Sequence, residues 1–141
     1  MQTTSTPELA GHLRLVIVRA ARRLRQEAGV ELSPSLAAAL ATVGRHGPLT
    51  PSELAARERI QRPTATRVLV RLEELGLIVR TPDPHDRRSS LVAATDEGQA
   101  LLDELRTRKT AFLAERLEGL PADERAVLDR AADILERMLA E

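Results

Sequence analysis

Apolar residues recur along residues 8–28 at a helical interval. Leu9, Leu13, Val16, Ile17, Ala20 and Leu24 fall on one face, which predicts an amphipathic helix. Thr6 suits its N-cap, Pro7 its first position, and Gly29 the C′ position that ends it. Ser33-Pro34 repeats the cap-then-proline signature and opens a second helix over 34–46, ended by Gly47-Pro48. Thr50-Pro51-Ser52-Glu53 is a third such start with capping-box spacing, for a short helix over 51–58. A fourth helix begins at Arg62-Pro63 and runs to Leu75, stopped by Gly76. Ala65, Val68, Leu69, Leu72 and Leu75 share one of its faces. Pro63, Thr66, Arg67, Val70 and Glu74 lie opposite, flanked by Thr64 and Arg71.

The pattern then changes period. Leu77 to Thr81 is rich in β-formers, residues 82–86 (Pro-Asp-Pro-His-Asp) read as a turn, and Ser89 to Ala93 as a second strand. This predicts a β-hairpin tipped by Asp86, Arg87 and Arg88. Thr95, Asp96 and Glu97 start a long helix to about Leu117 with Leu101, Leu102, Leu105, Phe112, Leu113 and Leu117 on its stripe, broken by Lys109. After Gly119-Leu120-Pro121, a last helix over 122–140 carries Val127, Ala131, Ile134 and Met138, with Leu128, Leu135 and Leu139 widening the face.

Two short helices in succession, the second with Thr and Arg outward, form a helix-turn-helix, and a hairpin directly after them is a wing. The fold class expected is mainly α with a small β-hairpin: a winged helix-turn-helix core flanked by N- and C-terminal helices. Residues 1–7 read as a flexible tail, 8–32 as an N-terminal dimerisation helix, 33–95 as the DNA-binding module and 96–141 as C-terminal dimerisation helices. Amphipathic helices at both ends of a small reading module suggest burial against a second copy of the chain.

Charge placement sharpens this reading. The 141 residues sum to zero charge, yet 57–90 carry eight Arg against five acids, net +3, and 91–141 carry seven bases against twelve acids, net −5. A basic middle and an acidic end suit a polyanion-contacting surface on an acidic scaffold. Of the 21 basic residues, 20 are Arg, the side chain that forks onto phosphates and guanine edges. The absence of cysteine excludes disulfides and thiolate metal sites. Phe112 is the only aromatic residue, which argues against a module that stacks bases on rings. No apolar run is long enough to span a membrane and the N-terminus lacks signal-peptide features, so a cytoplasmic protein is expected.

The order of elements resembles the MarR-type winged helix-turn-helix regulators. The residues that carry the resemblance are Leu54-Ala55-Ala56, Pro63-Thr64-Ala65-Thr66-Arg67, Leu72 to Ile78, Asp86-Arg87-Arg88 and Thr95-Asp96-Glu97-Gly98. Ala94 stands where the family pattern has Leu. The resemblance implies recognition-helix contacts to DNA from Arg62, Pro63, Thr64, Thr66, Arg67 and Arg71. It implies minor-groove contacts from Arg87 and Arg88, with Asp86 holding an Arg in place. It also implies a small, anionic aromatic effector at the junction of module and stem, with His12, Arg14, Arg19 and residues of 36–46 as its lining. The peroxide-sensing branch of the family needs a cysteine and is excluded.

Enzymatic chemistry finds no support. His12, His46 and His85 are scattered, no phosphate-binding glycine loop or nucleophile elbow occurs, and adjacent carboxylates such as Glu73-Glu74 diverge around a helix. No cofactor and no metal are expected. The expected function is a sequence-specific regulator, a homodimer on a palindromic operator in double-stranded DNA, acting as a repressor released by a small molecule. The alternative is a winged-helix protein-interaction or small-molecule-binding protein without DNA binding. An Arg-rich wing beside an outward Arg67 separates the two, because a partner-binding surface does not need both.

Overall fold

A computed structural model describes residues 3–29 and 32–140. Residues 1, 2, 30, 31 and 141 lie outside them, and with them fall parts of the expected tail, of the unit ending at 32 and of the unit ending at 141. The described chain is six helices and one hairpin.

Helix α1 (Thr6–Ala28) starts earlier than its apolar pattern predicts. Ser5, not Thr6, is the N-cap, because Glu8 stands three residues on and completes a capping box. The Glu8 amide donates to Ser5 Oγ (3.3 Å) and the Ser5 amide to Glu8 Oε2 (2.9 Å). The backbone bond from Ser5, and then its hydroxyl, hold the Glu8 carboxyl below its ordinary range. Gly29, at φ 68°, ends the helix, and Arg108 Nη1 donates to the Ala28 carbonyl at 2.8 Å.

Helices α2 (Pro34–His46) and α3 (Pro51–Glu58) fall where the proline starts place them, capped by Ser33 and Thr50. Arg59 follows α3 in the left-handed region at φ 54°, which turns the chain tightly into α4 (Arg62–Glu74). Leu40, Val43, Leu49, Leu54, Leu69, Leu72 and Val92 are essentially fully buried, so the core sits among α2, α3, α4 and the hairpin. Leu75 was expected on that buried face but is 40% exposed, because it is already the C-cap of α4.

The hairpin pairs β1 (Ile78–Asp83) with β2 (Asp86–Ala94) in antiparallel register. Its turn is Pro84-His85, so Asp86, Arg87 and Arg88 begin β2 instead of forming the tip that the sequence suggests. Asp83 causes the tighter turn, since its Oδ1 accepts from the His85 amide at 2.9 Å. Leu49 and Val92 exchange backbone hydrogen bonds (3.1 and 2.8 Å) and tie the α2–α3 connection to the wing.

Helix α5 (Asp96–Glu118) is anchored at its start. Thr95 Oγ1 donates to the Gly76 carbonyl (2.7 Å) and accepts from the Gly98 amide (3.0 Å). A Cβ on Gly98 would lie 2.2 Å from the Leu77 carbonyl oxygen, so only glycine allows this approach. Leu102 and Leu105 are buried, whereas Leu113 and Leu117 farther along are exposed. In α6 (Ala122–Leu139) no residue is buried. The apolar faces predicted for α1 and α6 are therefore only partly covered in the single chain: Leu13, Leu24, Ala131 and Leu135 are half-buried, and Val16, Ile17, Val127 and Met138 are exposed.

Candidate nucleic-acid interface

The reading face is built from α4 and the hairpin. Core burial of Ala65, Leu69 and Leu72 fixes the roll of α4 and leaves Pro63, Thr66, Arg67, Val70 and Arg71 exposed. Thr64 is half-buried. Arg62 opens the helix, and there is no acid in its first turn and no side-chain cap from Gln61. The positive end of the helix therefore meets no carboxylate of that turn.

Local bonds hold the polar side chains of this face. Thr66 Oγ1 donates to the Arg62 carbonyl (3.1 Å) and Arg67 Nη2 to Thr64 Oγ1 (3.4 Å). Arg71 pairs with Glu74 at 3.3 Å, and both side chains stay more than half exposed. Such a pair contributes at most about 1 kcal/mol and leaves the guanidinium available. Arg62, Arg87 and Arg88 are exposed and form no ion pair among the described residues.

The register of the wing shifts between Pro82, opposite Ser90, and Asp83, opposite Asp86. Arg87, Arg88 and Ser89 lie in the extra length of β2, a bulge that lifts side chains out of the ladder. Asp86 Oδ1 accepts from the Arg88 amide at 2.9 Å. The expectation was that Asp86 holds an Arg; in this structure it holds the backbone of one.

One residue of this candidate interface is not evident from the outward pattern of the sequence. Arg80 Nε lies 3.3 Å from Glu73 Oε2, joining β1 to α4, and its side chain is only 25% exposed. Arg80 Nη2 is buried without a hydrogen-bond partner. The available signal was alternation, because Ile78 is buried and Arg80 is two residues on, on the same inward row of the strand.

Of the expected effector lining, Ala37, Ala41, Thr42, Gly44, Arg45 and His46 line cavities against α5, and the other residues lie elsewhere. His12, Arg14 and Arg19 are exposed along α1, away from α4 and the wing, and line neither cavity at the junction of α5 with the module. His46 closes α2 and His85 sits in the hairpin turn. Among the described residues no three His, Cys, Asp or Glu gather to hold a metal, and no helix is long and apolar enough to cross a membrane.

A sequence profile of the MarR family matches residues 32–90. Over 138 residues the chain is 37% identical to an HTH-type transcriptional regulator of Mycobacterium tuberculosis, covering 97% of this chain and 96% of the relative. Among solved structures it is similar to a putative transcriptional regulator from Pseudomonas aeruginosa, with 35% identity, a TM-score of 0.87, and coverage of 99% and 100% of the two chains. It is also similar to the PcaV transcriptional regulator of Streptomyces coelicolor, solved in complex with its natural ligand. That match has 28% identity, a TM-score of 0.66, and coverage of 98% and 96%.

Proposed function

The chain belongs to the MarR family of transcriptional regulators, and from that premise we propose that it is a homodimeric repressor reading a palindromic operator in double-stranded DNA. The observation that carries the reading is the exposed face of Arg62, Pro63, Thr66, Arg67 and Arg71 beside the bulged Arg87 and Arg88, with Asp86 turned to the Arg88 amide. In this reading α4 enters the major groove and the wing reaches the minor groove. Arg67 and Arg71 take phosphates or guanine edges, and Thr64 and Thr66 offer a hydroxyl or a methyl to a base.

Dimerisation is supported by the partly uncovered faces of α1 and α6. A two-fold dimer sets two copies of α4 about one helical turn of DNA apart, which requires a palindromic operator. A small, aromatic anionic effector at His12, Arg14 and Arg19 would change that spacing. A coupling of about 1–3 kcal/mol suffices for such a switch. The ligand in the PcaV structure supports the idea of an effector. An aromatic-acid panel that left both melting temperature and DNA affinity unchanged would remove it.

Titration into duplex from just upstream of the reading frame, at several salt concentrations and beside random duplex, tests the DNA reading. Affinity should fall steeply with salt, and the upstream duplex should bind far more tightly than the random one. Absence of salt-dependent binding to any duplex would overturn it.

A further inference from the structure

We propose that Ser90 is a phosphorylation site, the acceptor for an arginine-directed serine kinase, and that its phosphate draws Arg80 away from Glu73. The segment Arg87-Arg88-Ser89-Ser90-Leu91 sets guanidinium groups three and two positions before the serine and an apolar residue directly after it. Protein kinases select substrates by such charge patterns along an extended segment. This one suits a cleft with carboxylates before the acceptor and an apolar pocket beyond it. Arg87 and Arg88 are exposed, lie in strand β2 and form no ion pair among the described residues. Ser89 lacks the apolar neighbour, because Ser90 follows it.

The local structure lets the segment be read. Ser90 is half-buried, and no side-chain hydrogen bond holds its hydroxyl among the described residues. Its cross-strand partner is Pro82, which has no amide to donate to the ladder. Beyond that pair the register shifts, and Arg87, Arg88 and Ser89 lie in the bulge. This end of the hairpin therefore opens at lower cost than the part where Leu49 and Val92 exchange backbone bonds. The transfer forms a bond from Ser90 Oγ to the γ-phosphorus of ATP. The bond from that phosphorus to the bridging oxygen breaks, ADP leaves with the electron pair, and the hydroxyl proton passes to the kinase's catalytic carboxylate.

The position of Ser90 gives the phosphate a partner. In the ladder Arg80 faces Val92 and Pro82 faces Ser90, so Arg80 and Ser90 are diagonal neighbours on one face, within reach of a long side chain. Arg80 Nη2 is buried with no hydrogen-bond partner, while Nε lies 3.3 Å from Glu73 Oε2. A phosphate brings a charge of about −1.5 to −2 and three acceptor oxygens, against the single charge of Glu73. It takes the guanidinium, and the tie between β1 and α4 is lost. The modification also changes the sign of the wing. Within residues 82–91, Asp83 and Asp86 balance Arg87 and Arg88, so the phosphate leaves this end with about two negative charges. A wing of that sign is repelled by DNA phosphates, a consequence that rests on the DNA reading above.

The test treats the full chain with Mg-ATP and the catalytic subunit of cyclic-AMP-dependent protein kinase, a reagent that selects arginine at these two positions. Mass spectrometry should find a phosphoryl group on Ser90. Ser89→Ala should leave it in place, and Ser90→Ala or Arg87→Gln/Arg88→Gln should abolish it. The ³¹P resonance should titrate below the ordinary phosphoserine value of about 6 in the wild type and return to it in Arg80→Met. Modified chain should bind DNA about tenfold or more weakly, whereas Ser90→Ala put through the same reaction should bind like untreated chain. An unmodified Ser90, or modification that survives loss of both arginines, would overturn the proposal. So would a ³¹P titration at the ordinary value in the wild type, one equally lowered in Arg80→Met, or undiminished DNA affinity of the modified chain. Untreated chain that binds no duplex would instead remove the DNA reading, and the mass and ³¹P measurements decide the phosphorylation and its Arg80 contact without DNA.

Discussion

Arg67 and Arg88 occupy the two parts of the proposed interface and should fail differently. Arg67 is braced by Thr64 Oγ1 on the outward face of α4, where a guanidinium reaches base edges. Arg67→Ala should cost about 1–3 kcal/mol of DNA affinity and relax sequence choice where it reads a base. Arg88 rides on the bulged wing, so Arg88→Ala should weaken binding on all sequences alike and flatten the salt slope. Competition assays with matched and mismatched duplexes distinguish the two. Glu8 supplies the pH-dependent term at this scale. Its hydrogen bonds to Ser5 lower its folded pKa below the unfolded value. The stabilisation is therefore present above the ordinary glutamate range and is lost as pH falls through the lowered value. Wild type should melt above Glu8→Gln at neutral pH, and the gap should close in acid.

Among the elements, the wing and the recognition helix are joined by Arg80 and Glu73. Arg80→Met removes this tie from a half-buried position. It should lower DNA affinity by about 0.5–1.5 kcal/mol and speed hydrogen exchange in β1, with α4 still helical by circular dichroism. Helix starts were readable because capping is local: Ser33-Pro34 and Thr50-Pro51 place α2 and α3 to the residue. At α1 two adjacent hydroxyls competed, and only the reciprocal bond of Glu8 decides for Ser5. Pro82 reads as a breaker and suggests a longer hairpin turn, yet it pairs opposite Ser90 in a two-stranded sheet, whose edge strands tolerate proline. Arg80 is not legible from outward patterning, because its role depends on a carboxylate seven positions earlier on another element. The reading face itself was legible, since the apolar face of α4 fixes its opposite.

Taken whole, the molecule buries its core in residues 39–102 and leaves much of the apolar faces of α1 and α6 open. The proposed burial against a second copy would account for both faces. Leu128→Glu/Ile134→Glu should then yield a monomer by sedimentation velocity. The variant should keep its fold, because neither side chain is buried in the single chain. Its DNA affinity should collapse, because one module then contributes only half of the contacts. In the proposed complex two copies of α4 and two wings read one two-fold DNA site. Selection of bound duplexes from a random-sequence pool tests it most directly. The expected result is an enriched palindrome with half-sites about one helical turn apart, bound by two chains and relaxed in sequence by Arg67→Ala. A pool that shows no enriched sequence, or one bound as a single unrepeated site by one chain, would contradict it.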